Sequence, residues 1–208
     1  MRSIRGSARD LWRPRALLDD VRQPRRHRVD PHVWFPRFAS DESLALLADH
    51  MDDAGAMLIG RRTYEEFAEW WPRQPDSVPL ATRTNAMTKY VVSTTLRSAV
   101  WHGSELLPAD DLAGAVAGLR ERHRTVAVAG SATLQRWLLR TGLLDEMRLY
   151  LAPVVLGGGL RLFDGTVPPA ELQLTDRRAL PNGVHYLAYA LGGDGAAASG
   201  ADAQAARG

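Results

Sequence analysis

A chain of 208 residues with 45% apolar content can bury one substantial core and is short for two full domains. Its formal charge of +2 hides an asymmetry, because residues 1–37 hold ten Arg against four Asp and the remainder carries a net −4; a basic nucleic-acid face on the folded body is therefore not expected. The absence of cysteine excludes disulfides, thiol catalysis and thiolate metal sites, and no run approaches the roughly 18 continuous apolar residues of a membrane-spanning helix.

Residues 1–37 form an Arg- and Pro-rich leader without sustained alternation or a long helical stripe, and are expected to be poorly ordered or atypical. No apolar segment of signal-peptide type precedes Val21, so a cytoplasmic location is expected. His32 to Phe38 sets three aromatics beside Pro31 and Pro36, a segment suited to covering the edge of a core. Ser40 then caps a helix whose inner face is read as Leu44, Leu47, Ala48 and Met51, ending at Gly55.

Ala56 to Ile59 reads as an interior strand running into Gly60-Arg61-Arg62-Thr63. Thr63 to Trp70 reads as a helix showing Phe67, Trp70 and Trp71 to the core before Pro72, and residues 73–87 read as loop. Lys89 to Thr94 is the next strand, Trp101 to Pro108 is ambiguous, and Asp110 or Asp111 caps a helix carrying Leu112, Val116 and Leu119 inward. Thr125 to Ala129 is a strand, Thr133 to Thr141 a helix ended by Gly142, and Glu146 to Val155 the longest strand candidate. Leu172 to Leu180 and Val184 to Leu191 flank Pro181-Asn182-Gly183 as a hairpin, and residues 192–208 are a low-complexity tail expected to be disordered. The fold class expected is α/β: a mostly parallel, helix-flanked sheet with an antiparallel hairpin at its C-terminal end.

Three polar turns follow three predicted strands, and in open α/β sheets ligands bind at the carboxyl ends of strands. At Gly130-Ser131-Ala132-Thr133-Leu134 a glycine turn feeds a helix N-terminus, whose free N–H groups suit a phosphate; an ordinary capped turn is the competing explanation. Gly60, Arg61, Arg62 and Thr63 repeat that geometry with two guanidinium groups, which either grip phosphate or solvate a helix start. Ser93-Thr94-Thr95 leaves a strand with three hydroxyls, able to bond a ribose phosphate or to close a turn. Gly157, Gly158 and Gly159 leave an open surface for a flat ring, at an entropic cost a simple bend would not warrant. The GxGxxG, GxxxxGK, HExxH and Gly-x-Ser-x-Gly patterns are absent, and the six His show no close metal-ligand spacing.

Taken in order, LIGRRTYEEF (Leu58 to Phe67), KYVVSTTL (Lys89 to Leu96), VAVAGSATLQRWLL (Val126 to Leu139), DEMRLYLAPVVLGGGLRLF (Asp145 to Phe163) and LPNGVHYLAYAL (Leu180 to Leu191) resemble the dihydrofolate-reductase-like proteins related to the reductase domain of bacterial riboflavin biosynthesis. The resemblance covers residues 38–191 and implies one α/β domain, often a homodimer, that binds NADPH and passes hydride to a small heterocyclic or carbonyl-like substrate. It implies cofactor-phosphate contacts for Gly60, Arg61, Arg62 and Thr63, a place near the adenosine ribose and its 2′-phosphate for Ser93 and Thr94, the pyrophosphate turn for Gly130, Ser131, Ala132, Thr133 and Leu134, and a glycine bend near the cofactor for Gly157 and Gly158. No proton donor is identified.

The departure lies at the front. Members of the family usually open with an apolar first strand and an Asp-Gly loop, and nothing before residue 38 reads that way. Residues 1–37 supply a substitute, a dimer partner does, or the chain folds marginally; a frameshift or misplaced start would also account for the leader. The rival functional readings are a noncatalytic nucleotide-binding or dimeric structural protein on the same scaffold and, more weakly, nucleic-acid binding through the leader.

Overall fold

The computed structural model describes residues 35–191 except 109 and 160; the expectations for residues 1–34 and for the tail at 192–208 lie outside the described residues. Strand β1 (Ala56–Gly60) is buried at every position. It lies between β2 (Thr88–Val92) and β4 (Val126–Ala129), with β3 (Ser104–Leu106) outside β2, in a parallel sheet of order β3-β2-β1-β4. An interior parallel strand needs apolar residues on both faces, and AMLIG supplies them.

Strand alternation then sorts the core. Met57 and Ile59 point into a cluster with Tyr64, Trp71, Ala81 and Trp101. Ala56 and Leu58 point the other way, onto Val116, Leu119, Leu134 and Leu138. Each of Met57, Leu58 and Ile59, essentially inaccessible to solvent, stabilises the fold by about 1.5–3 kcal/mol through burial.

Helix α1 (Asp41–Asp52) starts where expected, at a capping box in which Ser40 Oγ accepts from the Ser43 amide and Ser43 Oγ accepts from the Ser40 amide. Its buried residues are Ser43 and Leu46, whereas the expected face of Leu44, Leu47, Ala48 and Met51 is only half-buried. The helix divides its apolar stripe between two surfaces: Leu46 packs with Leu180, Val184 and Tyr186, while Met51 packs against the β1 core.

Helix α2 (Arg61–Trp70) buries Tyr64, whose hydroxyl accepts from the Trp101 amide at 2.9 Å. Residues 73–87 are not all loop, because α3 (Pro79–Ala86) occupies more than half of them. Pro at the first helical position has its φ preset, and Ala81 and Thr84, each 1% exposed, anchor the helix in the core. The strand expected at Lys89 to Thr94 runs instead over Thr88–Val92, leaving Ser93 and Thr94 in the following turn. Helix α4 (Leu112–Arg122) is capped by Asp111, whose carboxylate accepts from the Gly114 amide at 3.0 Å. Helix α5 (Ala132–Thr141) ends at Gly142 in the left-handed conformation, as its sequence implied.

Strand β5 (Glu146–Leu151) stops short of the expected Val155 and, among the described residues, makes no parallel pairing. It pairs antiparallel with β7 (His185–Leu191), which also pairs with β6 (Leu172–Ala179), giving a second sheet of order β5-β7-β6. The hairpin through Pro181–Gly183 is present, with Asn182 at φ 65° and Gly183 at φ 76°. Among the described residues the two sheets share no strand pairing: β4 closes one, β5 closes the other, and both free edges line a single cleft.

Candidate active site

The carboxyl ends of β1, β2 and β4 lie level, since Gly60 pairs with Val92 and Ile59 pairs with Ala129. Two of the turns that follow interlock. A Cβ added to Gly60 would stand 2.7 Å from Ser131 Oγ, and one added to Gly130 would stand 2.8 Å from Thr63 Cγ2. Both contacts are closer than carbon atoms in a side chain can approach, so each glycine admits a residue of the opposite turn. Gly130, Ser131 and Thr63, expected separately from sequence, are thereby brought together with Gly60.

Gly130 has φ 61° and Ser131 φ 52°, consecutive left-handed residues that swing the chain from β4 into α5. Ser131 tolerates that conformation because its Oγ accepts from the Leu134 amide at 3.4 Å as the helix cap. Ala132 and Thr133 form the first turn of α5, while Leu134 faces inward and is buried. At α2 the cap is Gly60 with no side-chain hydrogen bond, so the first-turn amides retain their donor capacity. Neither helix carries an acidic residue in its first turn. Open amides, two positive dipole ends and no competing carboxylate at the start suit an anion, and glycine in both turns leaves backbone accessible to it.

The arginines differ. Arg61 is held by Glu65 one helical turn on, at 2.9 and 3.0 Å, while Arg62 is exposed. Ser93 Oγ accepts from the amides of Thr95 and Leu96 at 3.1 and 2.8 Å, which commits its lone pairs to the turn, and Thr94 is exposed beside it. Gly157 and Gly158 are exposed, and a Cβ on Gly157 would meet nothing within 4 Å. The structure thus joins the Gly60 and Gly130 turns, sets Ser93 and Thr94 at the end of the adjacent strand, and shows no contact between Gly157 and either turn.

Between β4 and β5 opens a cleft of about 260 Å³, lined by Gln135 of α5 and by no residue of the Gly60 or Gly130 turn. Val126, Val128, Met147 and Leu149 form its apolar walls, and Gln135, His50 and Tyr150 bring polar groups to it. His50 bridges two phenols: Nδ1 lies 3.3 Å from the Tyr150 hydroxyl and Nε2 lies 3.3 Å from the Tyr186 hydroxyl. Burial and the Arg148 guanidinium hold His50 below its ordinary pKa, and burial pushes both phenols up. Sequence reading missed this trio, for its members lie 100 and 136 residues apart and share no motif.

Lys89 is a second group that sequence left unremarked. The side chain is inaccessible to solvent, its Nζ donates to the carbonyls of Asn85 at 2.6 Å and His102 at 3.0 Å, and it lies 4.2 Å from the centre of the Trp101 ring. Burial lowers its pKa to about 8. Among the described residues no His, Asp or Glu cluster could hold a metal ion, and no helix is long and apolar enough to cross a membrane.

Comparison with known proteins agrees with this architecture. The chain is 26% identical over 145 residues to the uncharacterized protein YyaP of Bacillus subtilis (strain 168), covering 68% of this chain and 76% of that one. Among solved structures it is similar to a Shewanella sp. PV-4 protein assigned to riboflavin biosynthesis, with a TM-score of 0.58, 20% identity, and coverage of 76% of this chain and 83% of the other. It is also similar to the diaminohydroxyphosphoribosylaminopyrimidine deaminase/5-amino-6-(5-phosphoribosylamino)uracil reductase of Thermotoga maritima, with a TM-score of 0.52 at 14% identity, covering 76% of this chain and 51% of that one. At such identities the two structural likenesses speak to fold. The profile of the RibD C-terminal domain matches residues 34–186, most of the sequence, and the chain belongs to that family.

Proposed function

We propose that the protein is an NADPH-dependent reductase of a small heterocyclic or carbonyl-bearing substrate. The observation that carries this reading is the interlock of the Gly60 and Gly130 turns at the ends of two neighbouring parallel strands. Family membership in a reductase domain supports the reaction class.

The fit to a dinucleotide rests on the cradle itself. Backbone amides at the starts of α2 and α5 would hold the phosphates, with Ser131 and Thr133 adding hydroxyl donors. Arg62 would reach a terminal phosphate more readily than Arg61, whose guanidinium is engaged by Glu65. Thr94 would add a hydroxyl, and the place of Gly157 and Gly158 beside the cofactor stays a proposal. Bound there, NADPH would supply the hydride; the protein's part is to position it and to exclude water.

A homodimer belongs to the same reading. Leu151, Val155, Phe163 and Leu174 are 61, 96, 53 and 46% exposed, apolar surface that a second copy would cover. Fluorescence titration of the full chain with NADPH and NADH, followed by a turnover screen against carbonyl and pterin-like acceptors, tests the function. Binding with turnover supports it; binding without turnover across the panel favours a noncatalytic nucleotide-binding protein; and indifference to millimolar NADPH ends the reading. Light scattering on the purified chain tests the dimer.

A further inference from the structure

From the contacts along the side of α5 we infer that Arg136 is a positioning residue. Through Asp164 it fixes the course of the glycine run at Gly157 and Gly158 beside the helix whose first turn would hold the cofactor phosphates. The inference takes its ligand from the reductase reading, and its residues from the contacts of α5 alone.

Helical side chains lean toward the N-terminus, so a residue in the second turn covers the first. Arg136 does so: its Nε donates to the Ala132 carbonyl at 3.2 Å and its Nη2 lies 3.5 Å from Thr133 Oγ1, while Nη1 pairs with Asp164. One turn on, Arg140 Nη1 donates to Thr166 Oγ1 at 3.2 Å. The two arginines, at helical neighbour spacing, thus present one face of α5 to the turn Asp164-Gly165-Thr166. That turn is closed from within: Asp164 Oδ1 accepts from the Thr166 amide at 3.0 Å and from its hydroxyl at 2.7 Å, with Gly165 at φ 86°. Both carboxylate oxygens are therefore engaged, one by its own turn and the other by Arg136. The side chains of the pair are 14 and 25% exposed, against 38 and 46% for Arg61 and Glu65, so solvent screens this contact less than that one.

The segment is held at its other end as well. β5 ends at Leu151, and Pro153 lies so close to the hairpin turn that a Cβ on Gly183 would stand 3.1 Å from its Cγ. The glycine run falls between these two anchors, with Gly157 at φ 72° and Gly159 at φ 118°. Glycine has the widest backbone freedom of any residue, so such a run keeps one course when both its ends are held. Loss of the Arg136 pair would leave the end at α5 with the weaker contact of Arg140 to a neutral hydroxyl. One helix would then serve both parts of the dinucleotide: the phosphates at its start, and the nicotinamide on the backbone surface that Arg136 holds in place.

Asp164→Asn tests this in the full chain, because it breaks the pair, retains an oxygen for the Thr166 bonds and touches neither glycine turn. Removal of a negative charge by itself favours an anionic ligand, so a loss of affinity would not come from charge. Trypsin cleavage after the exposed Arg161, read by mass spectrometry, is expected to be about tenfold faster in the variant as the open form gains population. In fluorescence titrations NADPH should bind about tenfold more weakly, while 2′-phospho-ADP-ribose, which is NADPH without its nicotinamide, should change by less than about twofold. Arg136→Met added to Asp164→Asn should not raise the Arg161 rate further, since the two side chains act as one contact. Arg136→Lys, which keeps a cation on the helix, should fall between wild type and Asp164→Asn in both assays, and urea transitions check that each variant folds. Unchanged cleavage at Arg161 overturns the anchor. Faster cleavage with both ligands weakened alike, or with neither weakened, overturns the positioning role and leaves the cofactor reading in place. A wild type that binds neither ligand removes the reductase reading and the positioning role with it.

Discussion

Gly60 and Ser131 meet across the ends of two parallel strands, with a hypothetical Cβ on the glycine 2.7 Å from the serine hydroxyl oxygen. The reciprocal contact joins Gly130 to Thr63 at 2.8 Å. Two helix starts are thereby drawn together at the carboxyl ends of neighbouring strands. The pairing explains why small residues recur at both turns more directly than flexibility does.

The two glycines should respond differently to alanine. Gly130 sits at φ 61° and its methyl would strike a threonine methyl, so Gly130→Ala combines backbone strain with a clash and should destabilise by about 1–3 kcal/mol. Gly60 has φ −79°, and only the Ser131 side chain opposes a methyl there, so Gly60→Ala should cost less. Adding Ser131→Gly to Gly60→Ala should recover most of the loss, since it removes the obstructing side chain and relaxes a left-handed serine. Urea denaturation of the three variants measures this, and equal costs for the two alanines would contradict the geometry.

Cofactor discrimination should track Arg62. Arg61 donates to both carboxylate oxygens of Glu65, an exposed pair worth only a few tenths of a kcal/mol but enough to bias its direction away from the turn. Arg62→Ala should therefore erase most of an NADPH preference over NADH, about tenfold or 1.4 kcal/mol, and Arg61→Ala should change it by less than twofold. Paired titrations with the two cofactors decide the matter, and the reverse ranking would reassign the phosphate contact.

Much of this architecture is legible in the sequence because it rests on local rules. Ser40, Asp111 and Gly142 mark helix ends through capping, and AMLIG marks an interior strand through its uninterrupted apolarity. Helix α3 escaped because, among its described side chains, Ala81 and Thr84 alone are fully buried, too little periodic signal in a polar, proline-containing segment. Strand β5 read as a continuation of the parallel series, since its apolar run cannot say which neighbour it will pair with. The His50 trio and the Lys89 contacts with Asn85 and His102 arise from packing between distant segments, and no spacing in the chain announces them.

Lys89 should leave a signature in the pH dependence of stability. Its pKa is about 8 in the folded protein against an ordinary 10.5, so between these values the unfolded chain binds more protons. Unfolding free energy therefore rises as pH increases from about 8, and the contribution is lost again as pH falls back through 8. Since this is the single lysine of the chain, no other lysine contributes to the slope. The buried tyrosines Tyr150 and Tyr186, with raised pKa values, act in the opposite sense near pH 10 and above, so the clean window is roughly pH 8 to 9.5. Urea transitions across that window should show the rise in wild type and a flatter profile in Lys89→Met; parallel profiles would mean that the ammonium is as well solvated folded as unfolded.

The free edges of β4 and β5 make a final, residue-level prediction. Every β1 residue has a partner strand on both sides, apart from the last position next to β4, whereas β4 and β5 each pair on one side only among the described residues. In a strand the amides point alternately to the two sides, so protection along Val126–Ala129 and Glu146–Leu151 should alternate, with cleft-facing amides exchanging far faster than those directed at β1 or β7. Hydrogen exchange followed by NMR resolves the alternation. Uniform protection along both strands in the full chain would mean that both edges are paired.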